Sequence, residues 1–268
     1  MRASPGLGLL GGRAMNALPK GGTGVTRPGS RPPAKLVGRT RILGELARLL
    51  DGGRTVLLYG PVGVGKSSVI RWLDARAEAR GVPRGLALTT ETLGDLTTAL
   101  SRAYPHVDVD SVTMRHARSR LRNAFEQRPA VLLLDHLGQT GRAFKGALRS
   151  LRGMGAGVLL AADVDQPRDH DRVRRLHLAQ HEVELPPLHG STMRTLMRSM
   201  LAAVDLPFPL RTEDVSALVT AAGGLPGRAV WIVETLHDSG AWRNGRPRCD
   251  WLRVEAIIAA AERYRRQR

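Results

Sequence analysis

Residues 55–68, TVLLYGPVGVGKSS, decide the fold: an apolar run leads straight into the pattern G-x-x-x-x-G-K-S. Val56, Leu57 and Leu58 read as a short buried strand that aims the loop. Gly60, Gly63 and Gly65 let the backbone turn with its N–H groups inward, because no Cβ stands in the way. Pro61, Val62 and Val64 complete the loop between them. Lys66 supplies a compact positive charge for β- and γ-phosphates, Ser67 offers a hydroxyl to Mg²⁺, and Ser68 follows it into a helix. That helix carries Val69, Ile70, Trp72 and Leu73 as its apolar positions and presents its positive end to the same anion. The segment 60–68 is therefore expected to bind ATP with Mg²⁺.

Outward from the loop, the pattern alternates. Residues 40–50 space Ile42, Leu43, Leu46, Leu49 and Leu50 on one helical face, and Asp51-Gly52-Gly53 ends it. After the loop helix come a strand near 85–88, a helix over 93–104 closed by Pro105, and a helix over 111–126 with Ser111 as its cap. Residues 130–135, AVLLLD, form a continuous apolar run of the kind buried on both faces of a parallel sheet. A helix over 142–152 and strands over 157–162 and 182–185 complete the series. Strands alternating with helices predict a doubly wound parallel α/β sheet. After Pro186-Pro187 the strands are expected to stop, with helices over 191–203, 212–222, 226–238 and 251–266. The expected organisation is a flexible basic arm over 1–34, an α/β nucleotide-binding core over 35–187 and a helical subdomain over 188–268. Met15 is an alternative start.

Asp135 ends the apolar strand 131–134, which is expected beside the strand of the phosphate loop, so its carboxylate is placed to hold Mg²⁺ together with Ser67.

Composition narrows the partners. Of 268 residues, 41 are Lys or Arg and 24 Asp or Glu, a formal net charge of +17 that favours polyanions. The single cysteine, Cys249, rules out an internal disulfide and cannot build a zinc site; it fits a reducing cytoplasm. No apolar run approaches the ~20 residues that cross a bilayer. Two stripes recur at helical spacing: Arg115, Arg118 and Arg122, then Arg142, Lys145, Arg149 and Arg152 opposite Phe144, Ala147, Leu148 and Leu151. Few exposed aromatics are evident, so the expected contact is with the backbone of duplex DNA rather than with stacked bases.

Val37-Gly38-Arg39, the phosphate loop and Gly224-Leu225-Pro226-Gly227-Arg228 arrive in an order that resembles AAA+ and related STAND ATPases, notably origin-recognition-type and transposon-encoded members. The resemblance covers residues 36–240. It implies that Val37, Gly38 and Arg39 line an adenine pocket and that Arg228 acts as a second sensor of the γ-phosphate. It also implies that Asp163 orients the attacking water, with Asp165 as a neighbour. An arginine among Arg172, Arg174 and Arg175 would complete a neighbouring subunit's site, within a ring or filament. The family usually follows the acid of the strand end with Glu; here the residue is His136, either an unusual base or a mark of slow, switch-like hydrolysis. Two readings follow: an ATPase that oligomerises and acts on DNA, or a STAND-like switch that controls a protein partner without DNA.

Overall fold

The computed structural model describes residues 36–90, 92–107, 114–138, 140–176 and 178–266. The arm expected over 1–34, the cap assigned to Ser111, and the side chains of Arg115 and of 263–268 lie outside what is described.

The core starts with helix α1 (Thr40–Asp51), strand β1 (Thr55–Gly60) and helix α2 (Lys66–Ala79). Strand β2 (Arg84–Ala87) leads to α3 (Leu93–Ala103) and α4 (Met114–Gln127), and strand β3 (Val131–Leu134) to α5 (Arg142–Gly153). Strand β4 (Gly157–Asp163), α6 (Pro167–Arg174) and β5 (His181–Glu184) close it. All five strands are parallel, in the order β2-β3-β4-β1-β5.

Strand periodicity explains the layers. Successive residues point to opposite faces, so an unbroken apolar run fills two cores at once. Leu57, Leu132, Leu134 and Leu160 pack with Leu96, Leu121, Phe125, Phe144 and Leu148 of α3, α4 and α5. Val56, Leu58, Leu133, Leu159 and Ala161 pack with Leu46, Leu50, Ile70 and Leu73 of α1 and α2. Each fully buried leucine contributes about 2 kcal/mol to this sandwich.

The order corrects one expectation. β3 is not beside β1: β4 lies between them and pairs with both. The register sets Gly60 opposite Asp163, so the acid brought to the root of the phosphate loop is Asp163 rather than Asp135. Helix α6 was also not expected; Gln166 and Asp169 form a reciprocal cap around Pro167, and Val173 is its buried anchor.

Helices α7 (Gly190–Leu201), α8 (Thr212–Ala222), α9 (Pro226–Thr235) and α10 (Cys249–Arg266) share a third core built on Met193, Met197, Leu218, Ile232, Leu236 and Leu252. Strands do not stop before it. A two-stranded hairpin, β6 (Trp242–Arg243) and β7 (Arg246–Pro247), turns through Asn244 and Gly245, both at positive φ (52° and 70°). Trp242 fixes the hairpin to this core by donating its indole N–H to the Leu236 carbonyl at 2.8 Å.

Candidate nucleotide site

The phosphate loop begins where β1 runs out. Gly63 and Gly65 stand at φ 79° and 104°, a region costly to any residue with a Cβ. Gly65 then starts α2, whose first residue is Lys66. Lys66 is 6% exposed, and its ammonium donates to the Gly60 carbonyl at 2.7 Å and the Pro61 carbonyl at 2.9 Å. Two further side chains brace the loop from behind. Arg39, buried, donates to the Val64 carbonyl at 3.3 Å, and the Val62 N–H donates to the Asp165 carboxylate at 3.0 Å. Val64 itself turns into the core.

Facing the loop is a chain of charges. Asp163 Oδ1 lies 2.7 Å from Lys66 Nζ. Asp163 Oδ2 lies 3.6 Å from His136 Nδ1, and Asp135 Oδ2 lies 3.9 Å from His136 Nε2. Those two separations are longer than ordinary hydrogen bonds and become ion pairs when the ring is protonated. The Asp163 carboxylate beside the ring raises His136 above the ordinary histidine value, against the opposing effect of burial. Burial pushes Asp163 upward, but His136 and Lys66 together hold it below the usual carboxylate range.

His136 has φ 47°, unusual for a residue with a side chain. Its neighbours over-determine it. Asp135 N–H donates to the Ala87 carbonyl (2.9 Å), the Thr90 hydroxyl donates to the Asp135 carbonyl (2.8 Å), and Leu137 N–H donates to the Ala161 carbonyl (2.8 Å). The His136 N–H turns back to the Asp135 carboxylate at 3.0 Å. The chain is thus pinned on both sides of His136, which carries the turn and is half-exposed toward the loop.

α9 closes the cleft, of about 280 Å³, with Lys66, Ser67, Ser68, His136 and Asp163 on one wall and Leu225, Gly227 and Arg228 on the other. The Gly227 N–H donates to the Gly63 carbonyl at 2.8 Å, so the first turn of α9 rests on the loop main chain to main chain. A Cβ on Gly227 would stand 2.9 Å from Gly63 Cα. Arg228 lines the cleft with a buried Nε that finds no partner among the described residues. Burial lowers its pKa, and the charge of Arg253 on α10 lowers it further. Nothing in spacing along the chain links Arg253 of α10 to Arg228 or to the phosphate loop.

The expected residues do not all converge here. Val37 and Gly38 are absent from the lining of this cleft; Gly38 sits against Thr192 of α7, and Gly38 and Arg39 border another cleft of about 520 Å³ with Glu182 and Glu184. Arg174 pairs with Glu182 at 3.1 Å, while Arg172 and Arg175 are exposed on and just after α6. On α5, Arg142 and Arg149 are exposed and Lys145 and Arg152 half-buried, opposite buried Phe144, Leu148 and Leu151. On α4, Arg118 is exposed and Arg122 pairs with Glu126 at 2.9 Å.

The donors fit a nucleotide. Lys66, the α2 N-terminus and the unpartnered Arg228 Nε supply positive groups for phosphate. Ser67 and the buried Asp135 are hard oxygen donors of the kind Mg²⁺ takes. A parallel sheet with such a loop at the end of β1 defines a P-loop α/β core. More narrowly, residues 56–174 match the model of the ATPase family associated with various cellular activities (AAA).

Solved structures share the fold. The Aeropyrum pernix ORC1 protein in complex with DNA is 19% identical with a TM-score of 0.55, over 85% of this chain and 66% of that one. Cdc6p from Pyrobaculum aerophilum is 14% identical with a TM-score of 0.55, over 81% and 65%. The Aeropyrum pernix ORC2 protein, in ADPNP–ADP complexes, is 15% identical with a TM-score of 0.53, over 86% and 70%. The chain thus spans about two thirds of the length of these relatives. At such identities the likeness is one of fold. No curated protein matches the chain.

Proposed function

We propose that this protein is an ATP-binding AAA+-type ATPase that self-associates in a ring or filament and acts on or along DNA, with slow or switch-like hydrolysis. Lys66 and Arg228 would hold the phosphates, and Ser67 and Asp135 would hold Mg²⁺, which when bound neutralises phosphate charge. Asp163 sits where it can exchange its partner Lys66 for contact with the nucleotide's surroundings. Arg174 or Arg175 would serve a neighbouring copy.

The observation that carries the slow-turnover reading is His136. Its ring stands between the carboxylates of Asp135 and Asp163, and Asp163 is committed to Lys66 at 2.7 Å. A ring held between two acids is a positioning element for the nucleotide's state more than a free proton acceptor. Net charge of +17 and the basic α5 stripe, with Arg142 and Arg149 exposed, support the DNA reading. The test is a DNA mobility shift with and without a non-hydrolysable ATP analogue, at two salt concentrations. Reversing the charges of Arg142, Lys145 and Arg149 should abolish the shift and spare nucleotide binding. Absence of any shift at low salt with nucleotide overturns the DNA reading in favour of a switch acting on a protein partner. Lys66→Ala should remove nucleotide binding under either. Faster turnover by His136→Glu supports slow hydrolysis, whereas a dead variant assigns proton transfer to His136.

A further inference from the structure

We infer that a second cleft, at the opposite end of the sheet from the phosphate loop, is a separate phosphate-binding site. The phosphate loop leaves the carboxyl end of β1, whereas this cleft of about 550 Å³ lies at the amino ends of β2 and β3. The loop after α2 and the carboxyl ends of α3 and α4 form it. Its floor is apolar, from Val82, Pro83 and Ala103, with Tyr104 buried beneath. The Tyr104 hydroxyl donates to the Arg128 carbonyl at 2.6 Å and ties α3 to the end of α4.

The rim is basic. Arg84, Arg102, His106 and Arg128 line it, and among the described residues no acidic side chain does. Arg84 is answered by Asp74 at 3.1 Å and Glu78 at 2.6 Å. Among the described residues no acid answers Arg102 or Arg128. Arg102 donates to the Leu86 carbonyl at 2.6 Å, and Arg128 to the Gly81 carbonyl. These are carbonyls of other segments, so each guanidinium at the cleft is anchored by a neutral group. A guanidinium has five N–H donors, and these bonds leave donors over on both. Helix carboxyl ends offset part of the charge, at roughly −0.5 each, which leaves two cations against one unit of opposing charge.

Two anchored guanidinium groups beside an apolar floor suit the planar, bidentate recognition of phosphate oxygens. The phosphate could belong to a free organic phosphate or to a nucleic-acid backbone. The site does not depend on ATP occupying the phosphate loop, so it stands or falls apart from the function proposed above.

The test uses the full chain with Lys66→Ala, which silences the phosphate loop, and follows the His106 ring signals by NMR, assigned through His106→Gln. Inorganic pyrophosphate should shift these signals saturably, and Arg102→Gln with Arg128→Gln should weaken that binding about tenfold or more. Should the double variant fail to fold, Arg102→Gln alone, at an exposed position, should weaken it by a smaller but measurable factor. A short duplex that moves His106 in a salt-sensitive manner assigns the phosphate to a nucleic-acid backbone; pyrophosphate alone doing so assigns it to a free phosphate. His106 signals that respond to neither probe, or pyrophosphate binding untouched by the arginine variants, would overturn the site.

Discussion

Asp163→Asn isolates the contact that joins the phosphate loop to β4. Lys66 is 6% exposed and Asp163 16%, with their charged atoms 2.7 Å apart. Removing one member of a buried pair outright costs about 3–5 kcal/mol, because the other charge is left without an answer. The loss here is smaller. An amide keeps an acceptor at the position, and the Gly60 and Pro61 carbonyls still hold the ammonium. What disappears is the charge of one acceptor, about 2 kcal/mol. In a chain of this size each kcal/mol moves the melting temperature by about 2–4 °C, so the nucleotide-free variant should melt about 4–8 °C lower. With Mg-ATP the gap should narrow, since phosphate oxygens then answer Lys66 in place of the carboxylate. Melting followed by circular dichroism, with and without Mg-ATP, reads both quantities. A nucleotide-free variant within about 1 °C of wild type would refute the energetic weight given to the pair. An unchanged gap on adding nucleotide would refute the idea that phosphate and Asp163 share Lys66.

Gly227→Ala places a Cβ 2.9 Å from Gly63 Cα and 3.1 Å from its carbonyl oxygen, neither of which can rotate away. Alanine is favoured over glycine in a helix by up to ~1 kcal/mol, so a loss of stability together with about tenfold weaker binding of a fluorescent ATP analogue would mark the clash as dominant. Thr90→Val removes the buried hydroxyl that donates to the Asp135 carbonyl at 2.8 Å and should cost about 1–2 kcal/mol by urea denaturation. Asp51 accepts from Arg76 and Arg80 and so joins α1 to α2; the Arg76 hydrogen bond is the main reason its pKa lies below the ordinary 3.8. A depressed carboxylate stabilises the fold above its unfolded pKa and stops doing so as pH falls through the folded value. The melting difference between wild type and Asp51→Asn should therefore be full at neutral pH, begin to shrink near pH 3.8 and vanish only below the lower folded value; a difference that stays constant through that fall would rule the pair out.

What could be read in advance was what lies within one local stretch. The phosphate loop, the apolar strand ending at Asp135 and the alternation of strands and helices each depend on spacing along the chain. Strand order does not, so nothing local signals β4 between β3 and β1, or the pairing of Gly60 and Asp163 that brings the acid to Lys66. The hairpin carries a partial signal. Asn244-Gly245 is the dipeptide that tolerates two successive positive φ values, but two-residue strands leave no alternation to notice. Among the described side chains helix α6 carries one buried apolar residue, Val173, too few for a periodic stripe, and Gln166, Pro167 and Asp169 are the local signs of its start. The proximity of Arg253 to Arg228 depends on how α10 lies along α9, which no spacing encodes.

The two margins of the sheet set terms for how copies of this chain can meet. On β5, His181, Glu182 and Glu184 are exposed along one border, and Pro186-Pro187 follow at once. On β2, at the other border, Arg102 occupies the Leu86 carbonyl. Charge, proline and an occupied acceptor each discourage a further strand from adding on. Growth by continuous β-pairing is thereby disfavoured at both borders, which leaves assembly to faces of helices and loops. Contacts of that kind are made by side chains and can be released as readily as they form.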